Sequence, residues 1–160
     1  MLLTMHDCTV TKIDLEEREE ETRMTWHLPD GIWITPGISC HEIKKTCRTA
    51  EACIVFSGKE LFDYEDDLSV SVCMKSRWHG KDKRMLTETW EYMTLPAFIK
   101  KMKENGWSFE IVNAYTEGFA FLITGDIHTP KERHRCEFRI SFIADSANYF
   151  WNDIHPDRVW

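Results

Sequence analysis

The chain has 160 residues, a net charge of −7, and 42% hydrophobic against 29% charged residues. That balance excludes a disordered or membrane-spanning polypeptide and leaves room for a core that buries roughly 70% of the unfolded surface. The acidic balance also opposes nonspecific binding to nucleic acid or to an anionic membrane.

The charge is unevenly spread. Residues 1–80 hold fifteen acids against nine bases, and residues 81–160 hold twelve against eleven. No secretory apolar segment follows Met1, and no apolar run approaches the roughly 20 residues of a membrane helix. Six cysteines without an export signal read as reduced thiols of a cytoplasmic protein.

In chain order, the first feature is an acidic block, Asp14, Glu16, Glu17, Glu19, Glu20 and Glu21, interrupted by Arg18. Residues 22–28 and 32–35 flank Pro29-Asp30-Gly31 and predict a hairpin. Ser39 and Glu42 have capping-box spacing, with Ile38 and Ile43 placed as a hydrophobic staple. They predict a first helix whose inner stripe is Cys40, Ile43 and Cys47 and whose end carries Lys44, Lys45 and Arg48. Residues 52–56 are short, apolar and partly β-branched, as a buried strand requires. A second acidic group follows at Asp63, Glu65, Asp66 and Asp67.

Leu68, Val70, Val72 and Met74 alternate with polar or small residues and predict a half-buried strand. Leu86, Glu88, Trp90 and Tyr92 share one face of the next. A second helix is predicted from Thr94, with Leu95, Phe98, Ile99 and Met102 on one face and Gly106 as its stop. Three strands in a meander follow, over 107–115, 119–127 and 135–143. The middle one is apolar on both faces at its start, which places it centrally. Asp145 reads as the cap of a short helix from Ser146.

These elements predict one α+β domain over 1–160: a mainly antiparallel twisted sheet of about eight to ten strands with two helices packed on it. A second small sheet can come from the first half. Segments 22–48 and 68–106 share a weak ββα pattern, a candidate duplication.

Three functional readings follow. The first is a non-catalytic intracellular interaction, inhibitory or accessory protein with a protein partner. It rests on the acidic first half and on an aromatic end, Tyr149, Phe150, Trp151, Ile154 and Trp160, where chain ends are ordinarily polar. The second is a small metal-dependent hydrolase. Asp126-Ile127-His128 and Asp153-Ile154-His155 repeat one tripeptide, and residues i and i+2 of a strand share a face, so each pair offers a carboxylate beside an imidazole.

The third is a nucleic-acid binder. It would use the loop His128–Arg135, the cluster Lys81, Lys83 and Arg84, and the helix lysines Lys100, Lys101 and Lys103. Solvated loops explain these bases equally well, and the net charge disfavours this reading. No cysteine spacing of a structural zinc site occurs, and no short phosphate-binding or hydrolase signature is present. The expectation is therefore a protein without cofactor or metal, leaning away from enzymatic activity.

Overall fold

The computed structural model describes residues 3–36, 44–59, 61, 70–79, 84–130 and 136–159. Their elements in chain order are β1 (Leu3–Thr4), β2 (Cys8–Val10), β3 (Lys12–Glu17), β4 (Thr22–Leu28), β5 (Trp33–Ile34), β6 (Cys47–Thr49) and β7 (Ala52–Gly58). There follow β8 (Val70–His79), β9 (Arg84–Met93), α1 (Leu95–Asn105), β10 (Ser108–Glu117), β11 (Ala120–His128), β12 (Cys136–Ile143), β13 (Ser146–Trp151) and β14 (Ile154–Val159).

Antiparallel pairing joins them into a six-stranded sheet, β2-β10-β11-β12-β8-β9, and two four-stranded sheets, β13-β7-β4-β3 and β14-β6-β5-β1. The two smaller sheets share one logic. Reading across them, β13 continues into β14, β7 is continuous with β6, and β4 leads into β5. One layer is thus creased along a line through residues 29–32, 50–51 and 152–153.

The crease is built from local chemistry. Gly31 takes φ +76°, and a side-chain carbon there would sit 2.2 Å from the Ala50 carbonyl oxygen and 2.3 Å from that of Thr49. Only glycine admits that approach. The Thr49 hydroxyl accepts from the Ile32 amide at 2.9 Å and donates to the Ala50 carbonyl at 2.9 Å, so the fully buried Thr49 satisfies backbone groups that the bend removes from the ladder. Ala50 N–H donates to the Asp153 carbonyl at 2.8 Å. The Asp153 carboxylate accepts from the Ile154 amide at 2.7 Å. Arg48 locks the same region. It donates to the Asp30 carbonyl at 2.6 Å and the Asp7 carbonyl at 3.0 Å, and lies 5.1 Å from the Trp33 ring centre.

The core lies between the six-stranded sheet and the sheet β13-β7-β4-β3. Trp26 of β4 packs edge-on against Phe56 of β7 at 5.2 Å and Phe109 of β10 at 5.3 Å. Phe56 reaches Phe121 of β11 and Phe142 of β12. Each such ring, fully withdrawn from water, contributes about 1.5–3 kcal/mol. Among the described residues the Trp26 indole N–H has no hydrogen-bond partner. That costs about 1–3 kcal/mol, comparable to the burial gain of one such ring. The indole is therefore held by the packing of three aromatic neighbours, Phe56, Phe109 and Phe142, rather than by its polar atom.

Helix α1 forms where its periodicity predicts. The Thr94 hydroxyl accepts from the Ala97 amide at 3.4 Å, and Gly106, at φ 64°, closes the end with its N–H on the Met102 carbonyl. Leu95, Phe98 and Met102 are buried. Phe98 meets Phe109 and Phe138 of the six-stranded sheet, while the helix also runs along β3.

Several sequence expectations are corrected. The two-helix α+β arrangement is replaced by a mostly β structure with one helix among the described residues. The first predicted helix starts at Ser39, and residues 37–43 lie outside the described ones. Its end is strand, because Cys47 and Thr49 alternate inward around Arg48 in β6. The hairpin expected over 22–35 does not pair with itself. β4 lies between β3 and β7, whereas β5 pairs with β1 and β6. Segment 22–48, read as one ββα unit, thus contributes to two different sheets. No helix follows Asp145, because β13 starts at Ser146 and the Asp145 carboxylate accepts from the Lys59 amide at 3.2 Å. The central placement of the strand over 119–127 holds for β11, though Phe119 sits in the preceding turn.

Candidate functional site

The outer face of the six-stranded sheet follows from pairing register. Phe121, Ile123, Ile127, Phe138, Ile140 and Phe142 point inward and are buried, so their neighbours along β11 and β12 point outward. One row across the sheet reads Glu110, Asp126, Glu137, Cys73 and Trp90. The next reads Asn113, Thr124, Arg139, Ser71 and Tyr92. Glu110, Asp126 and Glu137 stand directly opposite one another on three neighbouring strands. Like charges so placed cost stability.

Large exposed apolar side chains stand around these charged and polar rows. Trp90 is 48% exposed, Tyr92 60%, Tyr115 58% and Ile143 56%. Phe119 adds a further exposed ring at the turn before β11. Four strand spacings separate β9 from β10, so the face is about 19 Å wide, and it runs for about 30 Å along β11. Between the aromatic edge and the charged strands, Ser71 and Cys73 are buried under their longer neighbours.

The predicted site residues lie elsewhere. In β13 the register puts Tyr149 opposite Ile54 and Trp151 opposite Ala52, so both face the core, half-buried. Burial pushes the Tyr149 phenol up from its ordinary pKa. Phe150 points the other way and is 55% exposed. Ile154 packs against the core from β14, and Trp160 lies outside the described residues. The aromatic end is thus a strand of the sandwich in which Phe150 alone of Tyr149, Phe150 and Trp151 faces outward.

The two Asp-Ile-His tripeptides are on different sheets. Asp126 and His128 are on β11, where His128 Nε2 approaches Glu110 Oε2 at 3.4 Å. Asp153 belongs to the crease, and His155 stands opposite Arg48 in the smallest sheet. Among the described residues no group of three histidine, cysteine or acidic side chains is placed to hold a metal ion.

Of the basic clusters, residues 80–83 and 131–135 lie outside the described ones. On α1, Lys101 pairs with Glu91 and Lys100 with Glu104 at 3.8 Å. The first acidic block sits on β3 and the turn after it, where Arg18 contacts Glu16 at 2.8 Å and Arg23 bonds Glu21 at 2.6 Å. The second, 63–67, lies outside.

One arrangement was not anticipated. Cys53 and His27 are register partners on the outer face of the four-stranded sheet, and His27 Nε2 is 2.8 Å from Asp14 Oδ2. A thiol beside an imidazole held by a carboxylate invites a nucleophilic reading. The electrostatics oppose it: burial and then the Glu51 charge push the Cys53 thiol up, away from thiolate. Cys8, Cys47, Cys73 and Cys136 are buried and form no disulfide among the described residues, and Cys8 is pushed up to about 11 by burial. Among the described residues no helix is long and apolar enough to cross a membrane.

The chain matches no family model, no curated protein and no solved structure.

Proposed function

We propose that the chain is a non-catalytic protein-interaction module, an intracellular accessory or inhibitory protein that engages its partner through the outer face of the six-stranded sheet. The carrying observation is the exposure of Trp90, Tyr92, Tyr115 and Ile143 on that one face. Aromatic anchors dominate interface energetics, and here they stand around the charged and polar rows of one face. The face, roughly 500–600 Å² in plan, falls somewhat below the ~800 Å² that one partner contributes to a standard interface. The five described cysteines form no disulfide with one another, which supports a reducing compartment.

The test compares capture from a lysate of the cell that encodes the protein. The native chain, a Trp90→Ser/Tyr92→Ser variant and a Phe150→Ser variant serve as three baits. All three substitutions replace exposed residues, so the fold survives. The proposal expects partners held by the native and Phe150→Ser baits and lost by the double variant. Equal retention by all three, or none above background, overturns it.

A further inference from the structure

A second feature is independent of that face. An open groove of about 740 Å³ runs between β3 and α1, within the volume range of small-molecule sites. Ile13 and Met102 are its buried floor, and Leu15, Ile99 and Trp107 are half-buried along its walls. Helix α1 lies beside β3, the outermost strand of its sheet, and the groove between them is floored by apolar side chains.

Its charges are asymmetric. On the β3 bank Lys12 bonds Asp14 at 2.6 Å, and Asp14 also bonds His27, so that bank is satisfied internally. On the α1 bank the three lysines differ. Lys100 and Lys101 have carboxylate partners, whereas Lys103, which lines the groove, is exposed and has no ion pair or hydrogen bond among the described residues. Lys103, in the last turn of α1 where the helix end favours a cation, is the basic side chain on the groove without a carboxylate partner among the described residues, and it complements one negative charge on an apolar tail.

We propose that this groove binds an amphipathic monocarboxylate, its alkyl body against Ile13, Leu15, Ile99 and Trp107 and its carboxylate at Lys103. A single cation matches a singly charged head better than a phosphate. The apolar body carries the affinity, and the head selects.

The experiment titrates the full chain with decanoate and, separately, decanol, each below its aggregation threshold, following binding by calorimetry and by methyl NMR shifts. Saturable decanoate binding is expected, with shifts at Ile13, Leu15, Ile99 and Met102. Decanol should bind up to about fivefold more weakly, the reach of one exposed charge pair. Lys103→Gln, at an exposed position, should bring decanoate to the decanol level and leave decanol unchanged. Ile99→Asp should remove both, with circular dichroism confirming the fold. Absence of saturable decanoate binding overturns the proposal. So does a decanoate preference that survives Lys103→Gln, or shifts that map outside the groove. Sedimentation of the native chain covers the remaining occupant: a dimer that decanoate does not dissociate, with no methyl shifts in the groove, would assign it to a second copy and overturn the ligand.

Discussion

His27 Nε2 and Asp14 Oδ2 lie 2.8 Å apart across β4 and β3, with Lys12 on the same carboxylate. Partial burial raises the Asp14 pKa, but the hydrogen bonds from Lys12 and His27 outweigh it, and the carboxyl is held below its ordinary value. A group whose folded pKa is depressed stabilises the fold above its unfolded pKa, and that contribution disappears as pH falls through the folded one. The carboxylate is substantially exposed, so the effect is that of a surface pair, about 0.5 kcal/mol. Urea denaturation of native and Asp14→Asn chains should differ by that amount at neutral pH and converge as the pH drops below the ordinary carboxylate range. A difference that persists unchanged into strong acid contradicts the assignment.

Gly31 and Gly106 both have positive φ, but they meet different surroundings. At Gly31 an added carbon strikes two backbone carbonyls, whereas at Gly106 its nearest neighbour is the Pro130 ring at 3.4 Å. Gly31→Ala should destabilise by more than about 3 kcal/mol, since backbone and not side chain must move. Gly106→Ala should cost only about 1 kcal/mol, the ordinary charge for a left-handed residue. Denaturation midpoints of the two variants test the ordering.

The Thr49 hydroxyl serves two backbone groups at the crease. Thr49→Val keeps the shape and removes both bonds, leaving the Ile32 amide buried without a partner. A loss of about 1–3 kcal/mol is expected. Native-state hydrogen exchange should show faster exchange at Ile32 in particular. Unchanged protection there would mean that another acceptor takes over.

Phe56 and Phe150 come from paired strands of one sheet but face opposite ways. Phe56→Ala empties a site at the meeting of Trp26, Phe121 and Phe142 and should cost about 3–5 kcal/mol. Phe150→Ser, at an exposed site, should change stability by less than about 0.5 kcal/mol. Thermal unfolding distinguishes them.

The residues differ in how clearly they announce these roles. α1 was fully legible, because capping Thr94, the spacing from Leu95 to Met102 and the stop at Gly106 all agree on one answer. The meander was legible from alternation, which depends only on one face being buried. The segment ending at Cys47–Thr49 was not: an i, i+3, i+7 stripe of Cys40, Ile43 and Cys47 competes with a three-residue alternation, and long-range pairing with β5 and β14 decided for strand.

The same cause hid the crease, since a turn at Gly31 looks alike whether the chain pairs back on itself or steps into another sheet. Trp90 and Tyr92 were correctly placed on one face, yet nothing local says which side of a sheet stays bare. The β3–α1 groove joins residues nearly ninety positions apart, beyond the reach of any local pattern.

The creased layer also sets an order of assembly. Its strands β4 and β7 are made early, but β13 and β14, which pair with β7 and β6, come from residues 146–159. During synthesis both small sheets therefore wait, with an open flank, for residues 146–159 to leave the ribosome. Pairings of such long sequence separation form slowly. Until then β7 lacks one of its two neighbours, and the apolar side chains it carries, Ile54 and Phe56, stand exposed to misassociation for longer.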